Sequence, residues 1–377
     1  MTTVLFAPDG FKGSLTAADA AAALAAGWLD ARPADRTVER PMADGGEGTL
    51  EAFLASVPGA CRVPVRVTGP HGRQISASWV FLPPTADAPL GTGVVDLAST
   101  SGIELLDGAL RPFDADTRGF GEAIAAALDH GVSRLVLGIG SSASTDAGFG
   151  AFAALGARIT DAAGTPVAPG LRGLRTAVRL DRSALRPPPP GGVTVLTDVR
   201  SPLTGPTGAA ATFGPQKGVT PHDIPEADAA LGRAAVLWGT DPHASGAGAA
   251  GGTGAALRAW GAELVPGAEH VATLIGLVGA IEAADVVVTG EGAFDASSRA
   301  GKVPSRIAEL AGSRPVALVA GRIAADADTS IFADAVSLTA LAGSSASALS
   351  EPARWLRAAG RALASRLELP PSGVRNS

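Results

Sequence analysis

Cysteine is almost absent: Cys61 is the only one in 377 residues. A lone thiol excludes an internal disulfide framework and any Cys-rich zinc site. Histidine is sparse. His71, His130, His222, His243 and His270 are scattered with no i,i+4 pair, so each reads as a surface or loop residue rather than a metal ligand. No block of Lys or Arg exists and the net charge is −6, which argues against nucleic acid as a partner. No run approaches the ~18 uninterrupted apolar residues of a membrane span, so no membrane partner is expected. The first residues, MTTVLFAPDGFK, lack the charged start and long apolar core of a signal peptide, so a reducing cytoplasm is the expected location.

Lysine is the sharpest shortage. Only Lys12, Lys217 and Lys302 occur among 30 Lys+Arg, so arginine fills most cationic positions. All three lysines touch glycine, in Phe-Lys12-Gly, Gln-Lys217-Gly and Gly-Lys302-Val. A compact ammonium on a flexible stem fits a tight phosphate site that a planar guanidinium does not. The three read as functional cations.

Hydrophobic residues make up 46% and charged residues 18%, the balance of a soluble globular protein. At about 100–200 residues per domain the length suggests two domains. Residues 4–7 and 37–42 read as strands. Each runs into a Gly- and Asp-bearing loop and then a helix, a βαβ-like pattern. Thr16 can cap the first helix, with Asp19 three residues on. After Cys61 the texture changes. Residues 62–68, 75–82 and 93–98 look like strands with turns between them, as in a mixed or antiparallel sheet.

Residues 134–139 read as a strand opening into the small-residue loop 138–148, followed by a helix at 149–155. A loop between a strand and a helix N-terminus is the expected seat of an anion. A strand at 193–197 delivers Asp198. The glycine-rich segment 246–254 reads either as a flexible connector or as a hinge or phosphate loop. A helix is expected over 272–283 and a strand over 285–289. That strand should end in a turn at Gly290-Glu291-Gly292, with Asp295, Ser297 and Lys302 following. The two ends of the chain share a texture that the middle lacks. This predicts a domain of 1–62 plus 285–377 with 63–284 inserted into it.

Motif searches exclude more than they find. No Walker A or protein-kinase signature is present. Gly138-x-Gly140-x-x-Ala143 formally fits a dinucleotide fingerprint, but no acidic residue ends a next strand at the expected distance. What remains is Asp, Glu, Lys and Ser/Thr on glycine loops. Phosphoryl transfer needs little more: cations and Mg2+ on the phosphates, carboxylates for the metal, and a base near the attacking hydroxyl.

Six stretches, APDGFKGSLTAADAA, PMADGGEGTLEA, LGIGSSASTDAGFGAFAALGA, TDVRSPLTGPTGAAATFGPQKG, GAGAAGGTGAAL and TGEGAFDASSRAGKVP, occur in order along nearly the whole chain. Together they resemble the glycerate kinase family. The resemblance implies an ATP- and Mg2+-dependent kinase that phosphorylates a hydroxyl of D-glycerate, at O2, or of a related hydroxy compound. It also implies an α/β fold, in which a flavodoxin-like doubly wound domain is interrupted by a second α/β domain and the active site lies in the cleft.

In that scheme Lys12 and Lys302 neutralise phosphate charge, and Asp198 is the base or a metal ligand. Asp295 and Glu291 hold Mg2+ or the acceptor. Asp44, Gly45, Gly46, Glu47 and Ser297 line the acceptor site. Gly138, Gly140, Ser141, Ser142, Ser144, Thr145, Asp146 and Lys217 bind the nucleotide, with Glu291 also assigned there. The partners are then a small hydroxy acceptor and ATP. The chain departs from the usual family pattern at Gly10, Thr145, Ala293 and Ser297, so a changed acceptor is one alternative. A dinucleotide-dependent oxidoreductase, resting on 138–143, is the other.

Overall fold

The computed structural model describes residues 1–11, 13–296 and 303–367. Lys12, Ser297 and Lys302 lie outside the described residues. Thirteen strands are found among the described residues. They are β1 (Thr3–Phe6), β2 (Arg36–Glu39), β3 (Cys61–Thr68), β4 (Gln74–Leu82), β5 (Thr92–Asp96), β6 (Arg134–Gly138) and β7 (Arg158–Thr160). They continue with β8 (Arg179–Asp181), β9 (Val193–Leu196), β10 (Glu263–Val265), β11 (Val286–Phe294), β12 (Val316–Ile323) and β13 (Asp334–Ser337). Helices alternate with them, and the fold is α/β.

The chain forms two compact units. The first comprises Met1–Ala43, Glu51–Pro58 and Ala268–Ser377; the second comprises Asp44–Leu50 and Gly59–Gly267. The ranges of the units differ from the sequence-derived domain ranges: the first unit resumes at Ala268, and the Asp44–Leu50 segment groups with the second.

In the first unit five parallel strands follow the order β13-β12-β11-β1-β2. Counted in chain order within the unit this is 2-1-3-4-5, the flavodoxin-like arrangement. Val4, Phe6, Val286, Val288, Ala317 and Val319 form one buried layer with helices Ala17–Ala31 and Pro352–Arg366. The alanine-rich face of the first helix (Ala17, Ala20, Ala21, Ala25) carries little side chain, which suits close helix packing. As expected, Thr16 caps this helix: its Oγ1 accepts from Asp19 N–H at 3.1 Å.

Three local readings change. Gly290-Glu291-Gly292 is strand, not turn, and β11 continues to Phe294 in register with β12. Pairing with β12 overrides the local glycine signal. The expected helix over 272–283 is two helices, Gly267–Leu274 and Leu277–Ala283, divided at Gly276, whose φ is +67°. The glycine segment 246–254 is packed rather than loose, with Ala247, Ala249, Gly251, Gly252 and Thr253 buried.

The second unit has a six-stranded sheet in the order β10-β9-β6-β5-β4-β3. β10, β9, β6 and β5 are parallel, and β4 and β3 pair antiparallel at one edge. Its core includes an aromatic cluster in which Phe152 meets Trp238 and Trp260 edge-on, with centroids 4.8 and 5.8 Å apart. Trp238 also ties the core to the loop after β6, donating from Nε1 to Ala147 O at 3.0 Å.

Candidate active site

Parallel sheets gather polar loops at the carboxyl ends of their strands, because the backbone there turns away from the ladder. In the second unit β6 opens into Gly140-Ser141, and β9 delivers Asp198 two residues past its end. The turn at Asp44-Gly45-Gly46 is laid directly on these ends. Gly140 N–H donates to Gly45 O at 2.9 Å. A Cβ added at Gly45 would fall 2.5 Å from Leu196 O, so only glycine allows the approach. Asp44 shapes its own turn, its Oδ1 accepting from Gly46 N–H at 3.0 Å.

Gly267 closes the arrangement. Its N–H donates to Asp198 Oδ1 at 3.0 Å, and a Cβ there would lie 1.7 Å from Asp44 O. One residue therefore fixes the carboxylate of Asp198 against the backbone of Asp44. Sequence reading passed over Gly267; the Pro266-Gly267 pair, a turn signal, marks it.

The structure thus brings Asp44, Gly45, Gly46, Gly140, Ser141 and Asp198 together. Glu47 lies on the same turn. Asp44, Glu47 and Asp198 are exposed, and Gly140 and Ser141 half-exposed. The other members expected around the nucleotide, Gly138, Ser142, Ser144, Thr145, Asp146 and Lys217, are buried and form the layer behind. Ser141 has φ +57°, an uncommon conformation for a residue with a side chain. It is held by Ile103, whose N–H donates to Ser141 O at 2.8 Å.

Two of the buried residues hold partners within the chain. Asp146 faces inward. Its Oδ2 accepts from Thr117 N–H at 2.9 Å, Thr117 Oγ1 at 2.8 Å and Gly150 N–H at 3.1 Å, and its Oδ1 from Gly148 N–H at 3.2 Å. The amides at the start of helix Phe149–Ala154, expected to seat an anion, are thus taken by the chain's own carboxylate. A dinucleotide pyrophosphate would need that seat, so the oxidoreductase reading loses its support. Lys217 is buried too, donating from Nζ to Ser142 Oγ and Ser144 O, both at 2.6 Å. Burial brings its pKa down to about 7, against the pull of Asp146. Gly251 packs beneath the same stretch: its O accepts from Ala147 N–H at 3.0 Å, and a Cβ on it would sit 2.2 Å from Ser144 O. The glycine segment is a buttress for the loop.

Asp116, which sequence reading missed, lies buried beside Asp146. Burial, and then the charge of Asp146, raises its pKa from 3.8 to about 6. The folded state therefore favours the protonated acid. This contribution is fully present below pH 3.8 and is lost as pH rises through about 6. The gap is worth roughly 3 kcal/mol. Asp116→Asn, neutral at every pH, is expected to be more stable than the native chain at pH 8 by roughly 1–3 kcal/mol. That advantage should shrink by pH 5. Urea unfolding of both proteins at the two pH values measures it; a pH-independent difference contradicts the assignment.

In the first unit the order changes direction between β1 and β11, the position where such sheets bind ligands. Asp9 follows β1, and its N–H donates to Gly290 O at 2.8 Å. Thr289 Oγ1 on β11 donates to Ala7 O at 2.9 Å. Glu291 is buried within β11, and Asp295 follows its end. Ala293 is in register with Arg322 of β12. Among the described residues, no group of three or more His, Cys, Asp or Glu is placed to hold a metal ion. No helix among them is long and apolar enough to cross a membrane.

The sequence model of the glycerate kinase family matches residues 4–368. The chain belongs to the glycerate kinase family. It is 40% identical over 333 residues to a glycerate 2-kinase of Escherichia coli (strain K12), covering 86% of each chain. It is 38% identical over 335 residues to a glycerate kinase of Bacillus subtilis (strain 168), again covering 86% of each. A crystal structure of a candidate glycerate kinase 2 from Salmonella typhimurium LT2 superposes with a TM-score of 0.80 at 36% identity, covering 97% of both chains. The protein is accordingly a phosphotransferase with an alcohol group as acceptor.

Proposed function

We propose that this glycerate kinase family member transfers the γ-phosphoryl group of ATP, with Mg2+, to O2 of D-glycerate, giving 2-phosphoglycerate. The observation that carries the reading is the carboxylate of Asp198, fixed by Gly267 beside Asp44 and the Gly140-Ser141 backbone at the ends of parallel strands. Phosphoryl transfer is mostly positioning and charge stabilisation, and this cluster supplies oriented backbone and a fixed negative group. Ser141 in its strained conformation adds to the reading, since such outliers gather at sites of function.

Mg2+ fits the donor set. The candidate residues are carboxylates and hydroxyls without His or Cys, and Mg2+ takes only one or two carboxylates, completing its shell with water and substrate phosphates. The lack of a three-acid cluster among the described residues is compatible with that habit. Asp198 is the carboxylate assigned to Mg2+ or to the acceptor's proton, and Asp295 carries the metal assignment on the first unit. When bound, the ion neutralises charge developing on the phosphates. Gly140 and Ser141 present backbone to the nucleotide, and Asp44 and Glu47 orient the acceptor. Lys12 and Lys302 are assigned to phosphate charge from their sequence context.

D-Glycerate is favoured over a changed acceptor by the pairing of Ala293 with Arg322. A guanidinium remains on this strand pair although Ala293 does not carry it. The test is ADP release from ATP and Mg2+ across a panel of D-glycerate, L-glycerate, glycerol and larger uncharged alcohols. D-Glycerate should have the highest kcat/KM. A higher value for an uncharged alcohol would replace glycerate as the acceptor.

A further inference from the structure

Lys217 sits at the end of the turn Pro215–Lys217 and is 3% exposed. An ammonium removed from water costs several kcal/mol unless its surroundings compensate. Here both hydrogen bonds recorded for Nζ go to one short stretch, Ser142 Oγ and Ser144 O. That stretch is the one from which Ser141 and Gly140 emerge. Residues 101–103 anchor it as well: Ala143 N–H donates to Ser101 O at 3.1 Å, and Ile103 N–H to Ser141 O at 2.8 Å. Among the ties of the loop, the ammonium is the one that reaches both the Ser142 hydroxyl and the Ser144 carbonyl. A neutral side chain of similar length would keep the volume and drop that tie.

We propose that Lys217 is a positioning residue, holding Ser142 and Ser144 so that Gly140 and Ser141 present their backbone to the nucleotide phosphates, and that it does not touch the nucleotide. This rests on the assignment of the 138–148 loop to ATP under the proposed function. The cation matters because three short donors on one ammonium can reach a hydroxyl and a carbonyl inside a tight turn, not because it meets a phosphate.

The test is a double-mutant cycle on the full-length protein with Lys217→Met, Ser142→Ala and their combination. KM for ATP, KM for D-glycerate, kcat and the melting temperature are measured for each. Lys217→Met removes two hydrogen bonds to a charged donor and is expected to raise KM for ATP by at least ~10-fold. KM for D-glycerate should stay within about twofold. Ser142→Ala should raise KM for ATP by itself and add little in the Lys217→Met background, because the bond it removes is already gone. Full additivity, or an unchanged KM for ATP in Lys217→Met, overturns the proposal. A non-additive rise confined to D-glycerate overturns the nucleotide assignment of the loop instead, so the two failures are distinguishable. If Lys217→Met does not fold, Ser142→Ala decides the matter through hydrogen exchange: amides 140–146 should exchange faster as KM for ATP rises. Unchanged exchange in that variant overturns the proposal.

Discussion

Asp198→Asn is expected to fold like the native chain and to lose at least ~10²-fold in turnover, the lower end of a general base's usual contribution. The geometry makes this a clean substitution. Asp198 is exposed past the end of β9, and its Oδ1 accepts from Gly267 N–H. An amide oxygen can accept the same bond, so the side chain should keep its orientation. The amide lacks the charge, binds a hard cation weakly and cannot take a proton. Whichever of its two assigned roles Asp198 fills, the loss falls on kcat. The melting temperature should move by no more than about 2 °C, as for an ordinary surface change. A variant that stays active but melts much lower would make Asp198 a structural residue that secures Gly267.

Asp146→Ala should act on stability, and strongly. The native carboxylate is fully buried and accepts from Thr117 N–H, Thr117 Oγ1, Gly148 N–H and Gly150 N–H. Truncation leaves those donors enclosed without their acceptor, at about 1–3 kcal/mol each. It also removes the negative charge that supports the buried Lys217. One effect opposes these: Asp116 is relieved of a like charge. That relief is the smaller effect, because burial is the larger cause of the shift at Asp116. The expected net loss is roughly 3–5 kcal/mol, the range for breaking a buried charged network. Urea unfolding should show a lower midpoint with an unchanged slope. A loss below about 1 kcal/mol would mean that water satisfies the donors and would contradict the structural role of Asp146.

Local signals were legible wherever short-range chemistry decides the outcome. The Thr16 cap, the strand ahead of Asp198 and the strand feeding the loop after β6 could be found from residue type and spacing alone. The polar cluster at strand ends followed from the same signals. Burial was not legible. Lys217 between Gln216 and Gly218 looks like a cation on an open turn. Gly218, at φ +91°, instead closes the turn that buries it. Asp146 in a Ser/Thr-rich loop looks like a ligand-facing acid, and its inward orientation depends on Thr117, far away in sequence. Gly290 and Gly292 read as a turn because isolated glycines usually mark one, whereas pairing with β12 holds them extended. The glycines at 246–254 look flexible, yet Gly251 is required for close backbone contact with Ser144. In each case the missing information is which backbone lies alongside, a tertiary fact that composition and periodicity do not contain.

The measurement that tests the account most directly is product identification by 31P NMR, with the purified protein, ATP, Mg2+ and D-glycerate. The ATP γ-phosphorus signal should disappear as ADP grows, with a single new phosphomonoester identical to authentic 2-phosphoglycerate. The reaction should stop when Mg2+ is chelated. A product that matches 3-phosphoglycerate would contradict the assigned acceptor oxygen. ATP left intact beside D-glycerate, in a protein shown to be folded, would contradict the assigned reaction itself.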